Sequence, residues 1–172
     1  MMTNSQLVAW AAVAFFPIMM VFAGLLDVMT MQIRNQLVVA LILGYAVLAP
    51  LGGLALHDMA LSMTLAALVF AVGFTMFSMG WIGGGDAKLA TATVLWLGAA
   101  HILPYLFYTA AIGGVLTLVI LAYRQITLRP AWRLPEWMER LHSPNAGVPY
   151  GVAMAPAALL VFPNTPWMAA MP

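Results

Sequence analysis

The chain has 172 residues, of which 65% are hydrophobic and only 6% are charged, and its mean hydropathy is +1.00. A soluble domain carries about a quarter charged residues, so this composition excludes an ordinary water-soluble protein and indicates a membrane protein. The net charge of +1 does not indicate nucleic-acid binding. The absence of cysteine excludes disulfides, thiolate metal sites and cysteine nucleophiles.

Six apolar segments approach or exceed the length of about 20 residues that a helix needs to cross the hydrocarbon core. We therefore predict an all-α, polytopic membrane protein with six transmembrane helices in a single domain, residues 1–172. The first segment is longer than a signal-peptide core and follows no basic residue, so we expect it to be retained. The fourth is short, and His101–Pro104 is the predicted break before the fifth. The predicted spans are 7–26, 37–56, 59–80, 87–101, 103–123 and 148–169.

The six basic residues all fall in alternate connections of this arrangement. Arg34 follows the first span, Lys88 opens the fourth, and four arginines follow the fifth. The connections near His57–Asp58 and His101–Pro104 contain no lysine or arginine. The positive-inside rule therefore predicts that the basic connections face the cytoplasm and that both termini face the periplasm. The four arginines are Arg124, Arg129, Arg133 and Arg140.

Two of the five acidic residues fall at the cytoplasmic edge of the membrane, on different helices. Asp27 ends the first span, and Asp86 opens the fourth. Ionisable residues at membrane depth usually face a bundle interior or an aqueous cavity and often mark function. If the two helices are neighbours, the carboxylates can share one proton. The ionised one then activates water while the protonated one polarises a carbonyl, as in aspartic proteases.

A run of three glycines, Gly83, Gly84 and Gly85, directly precedes Asp86. Glycine permits backbone angles that are closed to other residues and leaves room for a substrate backbone. Non-helical backbone at membrane depth is tolerated where it lines a wet cavity. The run therefore predicts an opened hinge at the mouth of such a cavity.

Each aspartate also has a structural interpretation. Asp86 fits the N-cap or first-turn acid of the fourth helix, and Asp27 fits an interfacial carboxylate paired with Arg34. An alternative function from another class is a small transporter or channel component that uses Asp27 and Asp86 to bind an ion or relay protons. That function favours acids near the bilayer midplane and symmetric halves, whereas these acids lie at an edge and no repeat is visible.

Three motifs resemble those of the type IV prepilin peptidase family. GGGDAK at residues 83–88 is similar to the family's GxGD motif and the lysine that follows it. DVMTMQIRN at residues 27–35 resembles the segment of the first catalytic aspartate, with Arg34 in place of the proline in its usual Ile-Pro-Asn. PYG at residues 149–151 resembles the segment that opens the last span.

The resemblance implies a GxGD-type membrane aspartic endopeptidase with Asp27 and Asp86 as its catalytic residues. The length of the chain is similar to that of members of the short branch of the family, which serves tight-adherence, or Flp-type, pili. The chain lacks the insertion and cysteines that accompany N-methyltransferase activity in longer members. The implied partners are membrane lipids and a prepilin or pseudopilin whose basic leader precedes an apolar helix. Cleavage is expected at the cytoplasmic face of the bacterial inner membrane, without a metal or cofactor.

The remaining candidates are expected to shape the site or bind the substrate. Lys88 fits an orientation anchor or a substrate contact, and Asn35 is expected to cap the second helix. The segment 129–144, which includes Trp132 and Trp137, is typical of an interfacial amphipathic helix anchored in lipid. The complete set of site-shaping candidates is Gly83, Gly84, Gly85, Lys88, Asn35, Pro149, Tyr150 and Gly151.

Overall fold

The computed structural model describes residues 4–127 and 134–169, and within these ranges the chain is helical and contains no strand. The predicted all-α class is therefore confirmed. The helices in these ranges are α1 (Asn4–Thr30), α2 (Asn35–Leu51), α3 (Leu56–Ser78), α4 (Gly84–Leu97), α5 (Ile102–Arg124), α6 (Glu136–His142), α7 (Gly151–Val161) and α8 (Pro166–Ala169). Short 3-10 turns occupy Ala99–His101 and Phe162–Asn164.

Three helical stretches are long and apolar enough to cross a membrane, namely Gln6–Thr30, Leu56–Ser78 and Ala99–Arg124. Two further apolar stretches, Asn35–Leu51 and Gly151–Asn164, are shorter. These helices are compatible with the predicted membrane protein. Length and composition alone do not establish the six crossings, so that number stays a prediction.

The break between the fourth and fifth predicted spans lies earlier than His101–Pro104. Gly98 has a φ of +75°, in the left-handed region that favours glycine, and it ends α4 at Leu97. A single 3-10 turn then leads directly into α5. α4 also begins at Gly84, three residues before the predicted start at residue 87.

The predicted span 148–169 is not one continuous helix. α7 ends at Val161, a 3-10 turn follows, and α8 begins at Pro166. Pro163 and Pro166 lack the N–H that a continued helix needs, and Thr165 is extended, as residues before proline prefer.

The core surrounds α4, most of whose residues are buried against α3, α2 and α7. Trp96 anchors the end of α4 opposite Asp86, because its Nε1 donates to the Leu41 carbonyl at 2.9 Å. Trp167 Nε1 donates in turn to the Trp96 carbonyl at 2.9 Å. Buried indole N–H groups are thus satisfied, and these bonds hold α4 at a defined height in the bundle.

Candidate active site

The helices that carry the two aspartates are neighbours, which was the condition for a shared site. Phe16 of α1 stacks on Trp96 of α4 with ring centroids 5.3 Å apart. Thr93 Oγ1 of α4 lies 3.5 Å from Met20 Sδ of α1. α2 and α7 pack against both helices. α1 and α4 are therefore fixed side by side, with Asp27 and Asp86 at the same end.

A cavity of about 640 Å³ opens at that end, and both aspartates line it. We call it the aspartate cavity. Its walls come from the end of α1, from the bend before α4 and from the loop before α7. The lining residues are Asp27, Met31, Gln32, Ile33, residues 80–86 and residues 147–150. A second cavity of similar volume lies at the opposite end of the bundle, around Asp58 and His101, and contains neither Asp27 nor Asp86.

Asp27 lies in the last turn of α1 and is only 5% exposed. Its Oδ2 accepts a hydrogen bond of 2.7 Å from the backbone N–H of Gly151, the first residue of α7. This N–H has no acceptor within its own helix, so the carboxylate satisfies it. Arg34 is exposed and forms no ion pair with Asp27, which rules out the interfacial pairing considered from the sequence.

Close packing at Gly151 makes this hydrogen bond possible. A Cβ at position 151 would lie 2.9 Å from both Asp27 Cβ and Asp27 Oδ2, closer than such atoms pack. Gly24, one turn before Asp27, also packs tightly against α7, because a Cβ there would lie 3.3 Å from the Gly151 carbonyl oxygen. Glycine on each helix therefore brings the start of α7 against the carboxylate.

Asp86 is the third residue of α4, so it fits the first-turn acid considered from the sequence. Its carboxylate lies against Gly83, the N-cap residue, where a Cβ would be 2.8 Å from Asp86 Oδ2. The same half-buried carboxylate also lines the aspartate cavity and is close enough to interact electrostatically with Asp27. Its place in the first turn of α4 therefore does not remove the carboxylate from the cavity.

The glycine run is only partly the open hinge that its composition predicts. Gly84 and Gly85 are already helical, and the bend lies earlier, at residues 80–83, where Gly80 has a φ of +75°. The glycines instead allow close packing. A Cβ at Gly84 would lie 3.1 Å from the Phe77 ring, and one at Gly85 would lie 3.1 Å from Ile33 Cβ.

Asn35 does not cap α2 as predicted. The N-cap residue is Arg34, which has no side-chain capping bond, and Asn35 is the first helical residue. Its side chain is used elsewhere, because Asn35 Oδ1 accepts a hydrogen bond of 3.1 Å from Lys88 Nζ. This bond joins α2 to α4 at the edge of the site. Both residues are exposed and stand outside the cavity wall.

Pro149 and Tyr150 form part of the cavity wall and precede α7, as the predicted helix start requires. Pro149 is buried, whereas Tyr150 is exposed and is the N-cap residue of α7. The Tyr150 ring lies over α5, where a Cβ at Gly113 would be 2.8 Å from its Cε1 atom. Met31 and Trp81 also line the cavity but were not among the sequence candidates, because an apolar side chain at either position carries no chemical signal of its own.

Part of the segment 129–144 is helical, as α6, whereas its position at the lipid interface stays a prediction. Trp137 lies in this helix, and Arg129, Trp132 and Arg133 lie outside the described residues. Over residues 4–127 and 134–169, no group of three or more His, Asp or Glu side chains is placed to hold a metal ion.

An all-helical, apolar chain with two carboxylates in one cavity is an arrangement typical of a membrane-embedded enzyme. The sequence pattern of the type IV leader peptidase family matches residues 14–118 of this chain. The match covers more than half of the sequence and includes Asp27 and Asp86, so the chain belongs to the type IV leader peptidase family. No curated protein and no solved structure matches the chain.

The family assignment confirms the resemblance seen in the sequence, although the Flp-type branch within the family stays a prediction. The PYG segment at residues 149–151 lies beyond the matched region. The hydrogen bond from Gly151 to Asp27 is therefore an observation that does not depend on the family match. Membership of a peptidase family does not favour the alternative that the chain is a small transporter or channel component.

Proposed function

We propose that this family member is an aspartic endopeptidase that removes the basic leader of a type IV, Flp-like prepilin or pseudopilin, with Asp27 and Asp86 as its catalytic residues. The observation that carries the proposal is that these two carboxylates, 59 positions apart, line one cavity. Membership of a leader peptidase family supports the reaction class. The chain lacks the cysteines expected of a member with N-methyltransferase activity, so we propose peptidase activity alone.

In the proposed reaction, one carboxylate is ionised and the other is protonated. The ionised carboxylate takes a proton from a water molecule, whose oxygen bonds to the scissile carbonyl carbon. The protonated carboxyl donates to the carbonyl oxygen and stabilises the developing charge. The carbon–nitrogen bond then breaks as the carboxyl that took the water proton passes it to the leaving nitrogen, while the tetrahedral intermediate returns a hydroxyl proton to the other carboxylate. The N–H group of Gly151 keeps the Asp27 carboxylate oriented throughout.

The aspartate cavity suits an extended, basic peptide. Three glycines, residues 83–85, lie along one wall and leave room for a peptide backbone. The described wall contains two acids and no lysine or arginine. A positively charged leader is therefore attracted by the acids of the wall and is not repelled by any basic residue of the wall. The adjoining apolar helix of the substrate stays in the lipid.

We further propose that the whole chain is one domain with six crossings of the bacterial inner membrane. The proposed orientation has both termini in the periplasm and the aspartate cavity facing the cytoplasm. The positions of the charges support this orientation. Arg34 and Lys88 lie at the same end as the aspartate cavity. Asp58 lies at the far end of α3, which spans about 35 Å at 1.5 Å per residue.

Cleavage of a purified prepilin in proteoliposomes tests the catalytic assignment. Asp27→Asn and Asp86→Asn should each lower the rate at least about 100-fold, the scale expected for loss of an acid–base group. The double variant should be no slower than the slower single variant, because the two residues act as a unit. Asp58→Asn is the matched control, since it makes the same change at the opposite end, and it should cleave at the wild-type rate. Near-normal cleavage by either Asp27→Asn or Asp86→Asn contradicts the assignment.

A further inference from the structure

Arg124, the last residue of α5, makes three hydrogen bonds to backbone carbonyls. Its Nε donates to Leu141 O at 2.9 Å, and its Nη2 donates to Ala146 O at 2.6 Å and to Gly147 O at 3.1 Å. The planar guanidinium presents several donors in a fixed fork, which a lysine ammonium on its flexible stem does not reproduce. Arg124 is therefore used as a clamp on the chain between α6 and α7.

The clamped segment leads straight to the catalytic carboxylate. Leu141 lies in α6, and Gly147 is the first residue of the stretch 147–150 that forms a wall of the aspartate cavity. The next residue, Gly151, donates its N–H to Asp27 Oδ2 at 2.7 Å. Arg124 therefore holds both ends of the segment 141–147. This segment ends four residues before Gly151, the residue that contacts Asp27.

A second arginine ties the same region to α1. Arg140 Nη1, on α6, donates at 3.0 Å to the carbonyl oxygen of Met29, two residues after Asp27. This carbonyl belongs to the last turn of α1 and has no partner within the helix. The end of α1, α6 and the end of α5 are thus connected through arginine side chains beside the cavity.

We propose that Arg124 is a positioning residue, which holds the wall at residues 147–150 so that the Gly151 N–H meets the Asp27 carboxylate. Its effect on catalysis rests on the proposed function, whereas its effect on the loop does not. Of the three carbonyls that Arg124 binds, only that of Gly147 belongs to a residue lining the cavity, so Arg124 acts through the loop and not on the substrate.

Hydrogen exchange followed by mass spectrometry tests the effect on the loop without any substrate. In Arg124→Gln, amides of the segment 143–151 should exchange about tenfold faster than in wild type, because three anchoring bonds are lost. Arg124→Lys should be intermediate, since its ammonium keeps the charge but not the fork. Glu139→Gln removes a charge from an exposed residue of α6 and should leave exchange unchanged. Unchanged exchange in Arg124→Gln overturns the proposal.

Prepilin cleavage by the same proteins tests the consequence for catalysis. Arg124→Gln should lower kcat about tenfold with little change in KM, and Arg124→Lys should recover part of the loss. A variant with faster exchange but wild-type kcat would show that the clamp does not position the site, and the proposal fails. If wild-type protein cleaves no prepilin, the proposed function fails instead, and the exchange experiment still decides whether Arg124 holds the loop.

Discussion

The contact between Gly151 and Asp27 shows how strongly one residue type constrains this site. The carboxylate reaches the N–H only because position 151 has no side chain, and the space for a Cβ is already filled by Asp27. Gly83 stands in the same relation to Asp86, since a Cβ there would lie 2.8 Å from Asp86 Oδ2. Each proposed catalytic residue therefore lies against a glycine that is replaceable only by moving the carboxylate.

We expect Gly151→Ala to lower prepilin cleavage at least about tenfold, because the added methyl group displaces the start of α7 and lengthens the bond to Asp27. Gly114→Ala is the matched control, since a Cβ at that position of α5 has no atom within 4 Å. It should keep the wild-type rate and gain up to about 1 kcal/mol of helix stability. Thermal unfolding in detergent together with initial cleavage rates would measure both effects. Full activity of Gly151→Ala would contradict the role given to this bond.

Residue-level prediction identified the two aspartates but not what surrounds them. A carboxylate at a membrane edge is conspicuous in a chain with five acidic residues, so Asp27 and Asp86 are readily found. The partner of Asp27 is 124 positions away, and no local pattern encodes that distance. Asn35 fits a helix cap by local rules, yet Lys88, 53 positions away, binds its side chain. A local sequence pattern cannot predict a hydrogen-bond partner that lies far away in the chain.

At the scale of elements, apolar runs predict the helices well and their ends less well. α1, α2, α3 and α5 lie close to their predicted segments because long continuous apolar runs allow few alternatives. The errors concentrate at glycine and proline. Gly98 ends α4 through a left-handed backbone angle, and Pro163 and Pro166 divide the last apolar segment, although Pro17 and Pro50 are accommodated within helices.

The proposed crossings predict which connections are accessible from each side of the membrane. The chain has no cysteine, so His57→Cys and Gln36→Cys each introduce a single labelling site at an exposed position, near the start of α3 and near the start of α2 respectively. In cells with a permeabilised outer membrane and an intact inner membrane, an impermeant maleimide should label His57→Cys. Gln36→Cys should be labelled only after the inner membrane is opened. The reverse pattern would contradict the proposed orientation.

At the scale of the whole molecule, the charges are divided between two ends. The aspartate cavity, Lys88 and the arginine-clamped loop before α7 lie at one end, and the exposed pair His57–Asp58 lies at the other. The sequence predicts this division through the alternation of basic connections. It does not predict that α1 and α4 are neighbours, because apolar faces of similar composition do not specify partners. Side-chain contacts such as Phe16 on Trp96 decide that arrangement.

Asp27 and Asp86 line one cavity, and thiol cross-linking tests this shared site most directly. In this cysteine-free chain, the pair Asp27→Cys and Asp86→Cys should be joined within one molecule by a short bifunctional thiol reagent, with the linked peptides detected by mass spectrometry. The pair Asp58→Cys and Asp86→Cys, separated by about the length of α3, should not be joined by the same reagent. Failure of the first pair to cross-link, or equal cross-linking of both pairs, would contradict the shared site.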